Sequence, residues 1–166
     1  MHALRLALAV ALLPALSACG LRPIYAGGAQ GAVAQGLAAV EVSPVAGREG
    51  WLVRNALIDR LGQGGANTAP RYRLDILLDD QLEGLGLLTD DTIGRERRTL
   101  RARYQLVDLA SGVVMVDATA GSDAGIDVVS SEYATIAAEE RALENLAQQV
   151  ADRIVTRLTL ALSAQS

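Results

Sequence analysis

The chain has 166 residues, 51% of them hydrophobic, with a mean hydropathy of +0.25 and a formal net charge of −4. That length suits one domain, and the hydropathy is too high for a disordered chain. There is one Cys, one His, no Phe and no Lys, all 15 basic residues being Arg, which excludes a disulfide framework and a cysteine-based zinc site.

Residues 1–18 read as a lipoprotein signal peptide. Arg5 and the amino terminus supply the positive region, and Leu6 to Leu13 is an apolar run too short for a bilayer span, which takes roughly 20 residues. Leu16-Ser17-Ala18-Cys19 then sets small residues before a Cys, the pattern of a lipobox. It predicts cleavage before Cys19 and acylation of that residue, anchoring the protein in outer-membrane lipid. An ordinary signal peptide with an incidental Cys, or a short membrane anchor, is the alternative. Gly20, where an Asp would retain the protein at the inner membrane, favours the outer membrane on its periplasmic side.

Cleavage there removes His2, the only His, and Arg5. The mature chain then has no His, no Lys and no free thiol. A Ser-His triad, a thiolate nucleophile and a Schiff-base amine are all excluded, leaving only carboxylate chemistry for an enzyme. The chain reads as a non-enzyme without a cofactor or a metal.

Residues 19–36 are expected to be a lipidated amino terminus and a flexible linker, since Gly27 to Gly36 is rich in Gly, Ala and Gln and has no periodicity. Residues 37–166 form a single α+β domain. Ala38 to Ser43 alternates as a short strand, with Val40 and Val42 on one face. Gly50 to Leu61 has helical spacing, Val53, Leu57 and Leu61 sharing a face. Gly62 to Pro70 breaks the pattern. Arg71 to Asp80 alternates, with Tyr72, Leu74, Ile76 and Leu78 on one side. Gln81 to Gly94 is predicted to be a long loop carrying an exposed-looking apolar tract, Leu85–Leu88. Arg95 to Val107 is a second alternating strand, with Leu100, Ala102, Tyr104 and Leu106 inward, and Val113 to Ala120 a third. Short connections make these three an antiparallel meander. Gly121 to Ser131 is predicted to be a loop. From Tyr133 to near Leu162, Ile136, Leu143, Leu146, Val150, Ile154 and Leu158 recur at helical steps. A coiled coil is the alternative to a helix covering the sheet. The order strand, helix, three strands, helix predicts a two-layer sandwich, two helices on one face of a four-stranded mixed sheet, with a right-handed crossover into the second strand.

Cys19-Gly20-Leu21-Arg22-Pro23-Ile24-Tyr25 resembles the amino-terminal signature of the lipopolysaccharide-assembly lipoprotein (LptE) family, in which the acylated Cys and Gly are followed by a Pro and a Tyr. The element order, over nearly the whole mature chain, and the Tyr133-Ala134 pair at the start of the last helix are similar to that family as well. The resemblance implies a plug in the lumen of a large outer-membrane β-barrel, the LptD protein, in a one-to-one complex that delivers lipopolysaccharide to the outer leaflet. The family's ligand patch often includes Lys, and here only Arg is present, so its ligand positions are not carried over. An auxiliary lipoprotein of another envelope lipid transporter is the alternative function.

The strongest binding constellation is an Arg stripe. Arg95, Arg97, Arg101 and Arg103 have one parity and share a strand face roughly 26 Å long, which Arg71 and Arg73 could extend on the neighbouring strand. Guanidinium forks suit phosphate, so lipopolysaccharide or barrel contact is one reading and a solvated, salt-bridged face the other. Nucleic acid is disfavoured by the acidic balance and few aromatics. Asp79-Asp80 and Asp90-Asp91 read as polar turns rather than a Ca²⁺ loop. Glu139-Glu140 is read as favouring the positive end of the last helix, and Trp51 as a core or interface anchor.

Overall fold

A computed structural model describes residues 31–62, 69–85 and 94–164. The predicted signal peptide, Cys19, the Leu87-Leu88 half of the apolar tract and Asp90-Asp91 lie outside the described residues. In chain order the elements are α1 (Ala32–Ala38), β1 (Val40–Val42), α2 (Gly47–Leu61), β2 (Tyr72–Gly84), β3 (Arg95–Asp108), β4 (Val114–Asp127) and α3 (Glu132–Ser163). The sheet runs β1-β2-β3-β4, with β1 parallel to β2 and the other neighbours antiparallel. The mixed four-stranded sheet and two-layer α+β architecture are those the sequence predicts, with one helix more.

That extra helix corrects the linker assignment from Ala32 onward. Among the described residues of Gly27 to Gly36 the chain is helical, because Leu37 and Val33 find an apolar seat. Gly36 lies against Leu162 of α3, within 3.4 Å of where a side chain would begin.

The core lies between the sheet and the helices. Val40 and Val42 of β1, Tyr72 and Leu74 of β2, and Leu100, Ala102, Tyr104 and Leu106 of β3 meet Val53 and Leu57 of α2. Leu146, Val150, Ile154 and Leu158 of α3 close it from above. Each fully buried aliphatic side chain contributes about 1.5–3 kcal/mol by leaving water. Gly62, at φ 75°, ends α2 in the left-handed conformation that a side chain resists. Ile136 departs from the predicted apolar stripe: it is 49% exposed, because α3 there has run past the apolar part of the sheet. Trp51 is also exposed and does not anchor the core.

Two strands are longer than the alternation suggested. β2 continues through Gln81–Gly84, and β4 continues from Gly121 to Asp127 where a loop was expected. Asp79 and Asp80 therefore sit within β2 rather than in a turn, on opposite faces of the sheet. Their positions follow from β2 pairing with β3 from Tyr72↔Asp108 to Gly84↔Glu96.

Candidate functional site: the open face of the sheet

Among the described residues the three helices leave one sheet face uncovered, and β3 lays its cations along the middle of it. Arg95, Arg97, Arg101 and Arg103 are all exposed there. The strand register then decides what lies beside them. On β2, Glu83 stands opposite Arg97, Asp79 opposite Arg101, and Leu77 opposite Arg103. On β4, Asp127 stands opposite Arg95, Gly125 opposite Arg97, Gly121 opposite Arg101 and Thr119 opposite Arg103, with Asp123 and Asp117 on the same face. The face is a row of cations between two rows of acids.

Two of the four cations are answered within the sheet itself. Arg103 pairs with Asp117 at 3.2 Å, and Arg95 with Asp127 at 3.4 Å. The Arg103 guanidinium, joined by the Gln105 amide, holds the Asp117 carboxyl below the usual carboxylate range. Arg97 and Arg101 have no ion pair among the described residues.

Arg71 and Arg73 do not lengthen the row as free cations. Arg73 stands opposite Val107, beyond the Asp75–Gln105 step, and donates to Asp75 at 3.0 Å. Ser43 and Arg73 both bond Asp75, whose pKa is lowered first by the Ser43 hydroxyl. Arg71 lies 3.8 Å from Asp108 and 5.0 Å from the centre of the Tyr72 ring.

A shallow cavity of about 300 Å³ opens on this face, lined by Leu77, Asp79, Arg101, Arg103, Thr119 and Gly121. Leu77, which interrupts the polar parity of β2, is 73% exposed there. Gly121 gives the cavity its width. A side chain at 121 would begin 3.2 Å from Cγ of Arg101, so the bare backbone lets that guanidinium lie across β4. Gly125 does the same for Arg95.

Arg98 has the opposite parity and turns to the helix side. It makes a bidentate pair with Asp80 at 2.6 and 2.9 Å and donates to the Glu139 carbonyl at 3.2 Å. Glu139 and Glu140 lie two turns into α3, beyond the reach of the helix dipole, which fades within the first turn. Glu140 instead pairs with Arg48 of α2. The sequence reading missed Asp123 and Asp127 because it ended that strand at Ala120, and it left Asp117, inside the predicted strand, without a cross-strand partner. The shared parity of Asp117, Asp123 and Asp127, with Gly121 and Gly125 between them, was the available signal.

The fold and this face define a class: a small two-layer α+β domain that displays a charge-striped sheet surface. Among the described residues there is no cluster able to hold a metal ion and no helix long and apolar enough to cross a membrane. The LptE family model, described as lipopolysaccharide-assembly, matches residues 37–158. The chain therefore belongs to the LptE lipopolysaccharide-assembly family.

Three solved structures share the fold. A putative lipoprotein from Caulobacter crescentus is 24% identical, with a TM-score of 0.68, covering 82% of this chain and 98% of its own. Lipoprotein B from Nitrosomonas europaea is 14% identical, with a TM-score of 0.58 and coverage of 75% and 84%. The rare lipoprotein B from Shewanella oneidensis is 15% identical, with a TM-score of 0.54 and coverage of 76% and 96%. No curated protein matches the sequence.

Proposed function

We propose that the mature protein is an outer-membrane lipoprotein that plugs the lipopolysaccharide-export β-barrel, LptD, one to one, and assists lipopolysaccharide assembly into the outer leaflet. It acts by binding and not by catalysis. The observation that carries the reading is the uncovered, charge-striped sheet face in a member of this family. Rows of Asp, Glu and Arg are costly against hydrocarbon but suit the polar interior of an outer-membrane barrel. Arg97 and Arg101 supply forked donors for lipopolysaccharide phosphates or for barrel-wall acids. Acylated Cys19 holds the domain on the periplasmic side of the outer membrane.

Co-expression with LptD and purification through a tag on the lipoprotein tests the reading. The expected result is a stable one-to-one complex in detergent. Failure of the two chains to copurify overturns it, and an inner-membrane transporter subunit in place of the barrel would point to a different envelope lipid pathway.

A further inference from the structure

The outer edge of β2 is open for most of its length. β1 pairs with it only at Tyr72, Arg73 and Leu74. The last bond on that side runs from the Ser43 N–H to the Leu74 carbonyl, and Pro44, which has no N–H, follows. Among the described residues no strand lies beside Ile76 to Gly84 on that side. Backbone groups alternate in direction along a strand. Leu85, just past the end of β2, donates to Arg95, so the odd residues bond inward to β3, while Tyr72 and Leu74 bond outward to the β1 side. The N–H and C=O groups of Ile76, Leu78, Asp80 and Leu82 therefore point outward, along roughly 20 Å of edge at about 3.3 Å per residue.

The side chains flanking this edge are of two kinds. On the helix side, Ile76 and Leu78 pack on the core but are only partly buried, and Leu82 is 44% exposed. Asp80, between them, is held by Arg98. On the open side, Asp79 and Glu83 are exposed. Neither has an ion pair among the described residues, although Arg101 and Arg97 stand opposite them. An exposed strand edge is a template for another strand, and this stretch of β2 has no Pro and no bulge to blunt it. The other outer edge, on β4, is guarded by α3: Arg153 donates to the Gly121 carbonyl, and the Ser122 hydroxyl to Gln149.

We propose that the Ile76–Leu82 edge takes up an extended segment of another polypeptide as a fifth strand of the sheet, a segment in which basic and apolar residues alternate. Main-chain bonds to Ile76, Leu78, Asp80 and Leu82 hold the added strand, and its side chains set the specificity. Its basic residues stand on the open side beside Asp79 and Glu83, as opposite charges on neighbouring strands favour. Its apolar residues cover Ile76, Leu78 and Leu82 on the helix side. A second copy joined edge to edge would set acids against acids, which is unfavourable, so the occupant is a different chain. The site needs neither the barrel lumen nor lipopolysaccharide, and its test is separate from copurification with LptD.

The test is amide hydrogen exchange, followed by NMR, on the full mature chain in detergent. The probe is an acetylated, amidated peptide of alternating Lys and Val, and the control has the same composition in Lys-Lys-Val-Val order. In the chain alone, the amides of Ile76, Leu78, Asp80 and Leu82 should exchange at least tenfold faster than those of Leu77, Asp79 and Gln81, which bond β3. Saturating alternating peptide should slow the first set at least tenfold, and the control should bind at least tenfold more weakly. Leu78→Pro removes an outward N–H that β3 does not use, a position where an edge strand tolerates Pro, and should weaken the peptide at least tenfold. Asp79→Asn with Glu83→Gln, at exposed positions, should weaken it severalfold with Tm unchanged. Absence of saturable binding overturns the proposal. So does protection of the outward amides in the chain alone, which would mean that its own segments or a second copy already fill the edge. Equal affinity for the control peptide overturns it too. Undiminished affinity in the acid-to-amide double variant does the same, which keeps the test decisive if Leu78→Pro does not fold.

Discussion

Arg97 and Arg101 differ from Arg95 and Arg103 only in what the register places beside them. The outer two lie beside Asp127 and Asp117, while the inner two face glycines on β4 and acids beyond ion-pair distance on β2. Charge-assisted contacts contribute roughly 1.5–3 kcal/mol, less where water screens them. Replacing both with Gln removes the charge without setting a like charge opposite Glu83 and Asp79. Arg97→Gln with Arg101→Gln should weaken lipopolysaccharide binding at least about tenfold, or about 1.4 kcal/mol, with the thermal midpoint nearly unchanged. Unchanged binding would make the row a solvated surface or a barrel contact. Glu96, on the helix side, gives a prediction in pH. One of its carboxyl oxygens is buried without a hydrogen-bond partner. Burial raises its pKa, and the Glu139 charge raises it further. The native state therefore holds this proton to higher pH than the unfolded chain does. The native state binds more protons, so this group's effect on stability falls as pH rises from the unfolded value, about 4.3, through the raised folded value. Glu96→Gln mimics the protonated acid. It should raise Tm at neutral pH and change it little near about pH 3.5, as calorimetry would show. A loss of stability at neutral pH would mean that the Glu96 charge has a partner.

At the scale of elements, α3 is the clamp. Its 32 residues, about 48 Å at about 1.5 Å each, pack on β3, β4, α1 and α2 together. Ile154 is fully buried near the middle of that contact. Ile154→Ala should cost about 2–5 kcal/mol, read as a lower urea midpoint with an unchanged slope. A cost below about 1 kcal/mol would mean that the helix is not the main cover of the sheet. The helix was legible from its apolar repeat, and β3 from its clean alternation of Arg against Leu, Ala and Tyr. The far end of β4 was not. Gly121-Ser122-Asp123-Ala124-Gly125 has the composition of a loop, and strand propensity reflects packing on a pleated surface more than any intrinsic preference. Here the glycines are used by the neighbouring strand's guanidiniums, a cross-strand demand that is invisible within β4 itself. Residues 81–84 were lost for the same reason, since pairing with β3 extends β2 past its last apolar alternation. The helix α1 was hidden because seven residues cannot hold a helix alone, and its stability comes from α3, over a hundred positions away.

At the scale of the whole molecule, the uncovered face and the predicted anchor have to be satisfied together. The one-parity Arg row was legible in the sequence, but its flanking acids on β4 were not, because those depend on register. Anchoring is the remaining element. From Cys19 to Gly31 the chain spans at most about 40 Å when fully extended. A lipid at Cys19 would confine the domain to a shell about that thick beneath the leaflet, raising its effective concentration near a membrane partner without adding a contact. The mature chain should begin at acylated Cys19 and fractionate with the outer membrane. Intact-mass analysis checks this, and a mature terminus at any other residue overturns it. Cys19→Ala should abolish acylation and cleavage at that site. On the proposed reading its effect on assembly should be one of concentration: barrel-bound protein should fall at native expression and recover when the variant is overproduced, since a plug in a lumen would keep its contacts. If overproduction restores nothing, the acyl chains themselves contribute to the interface.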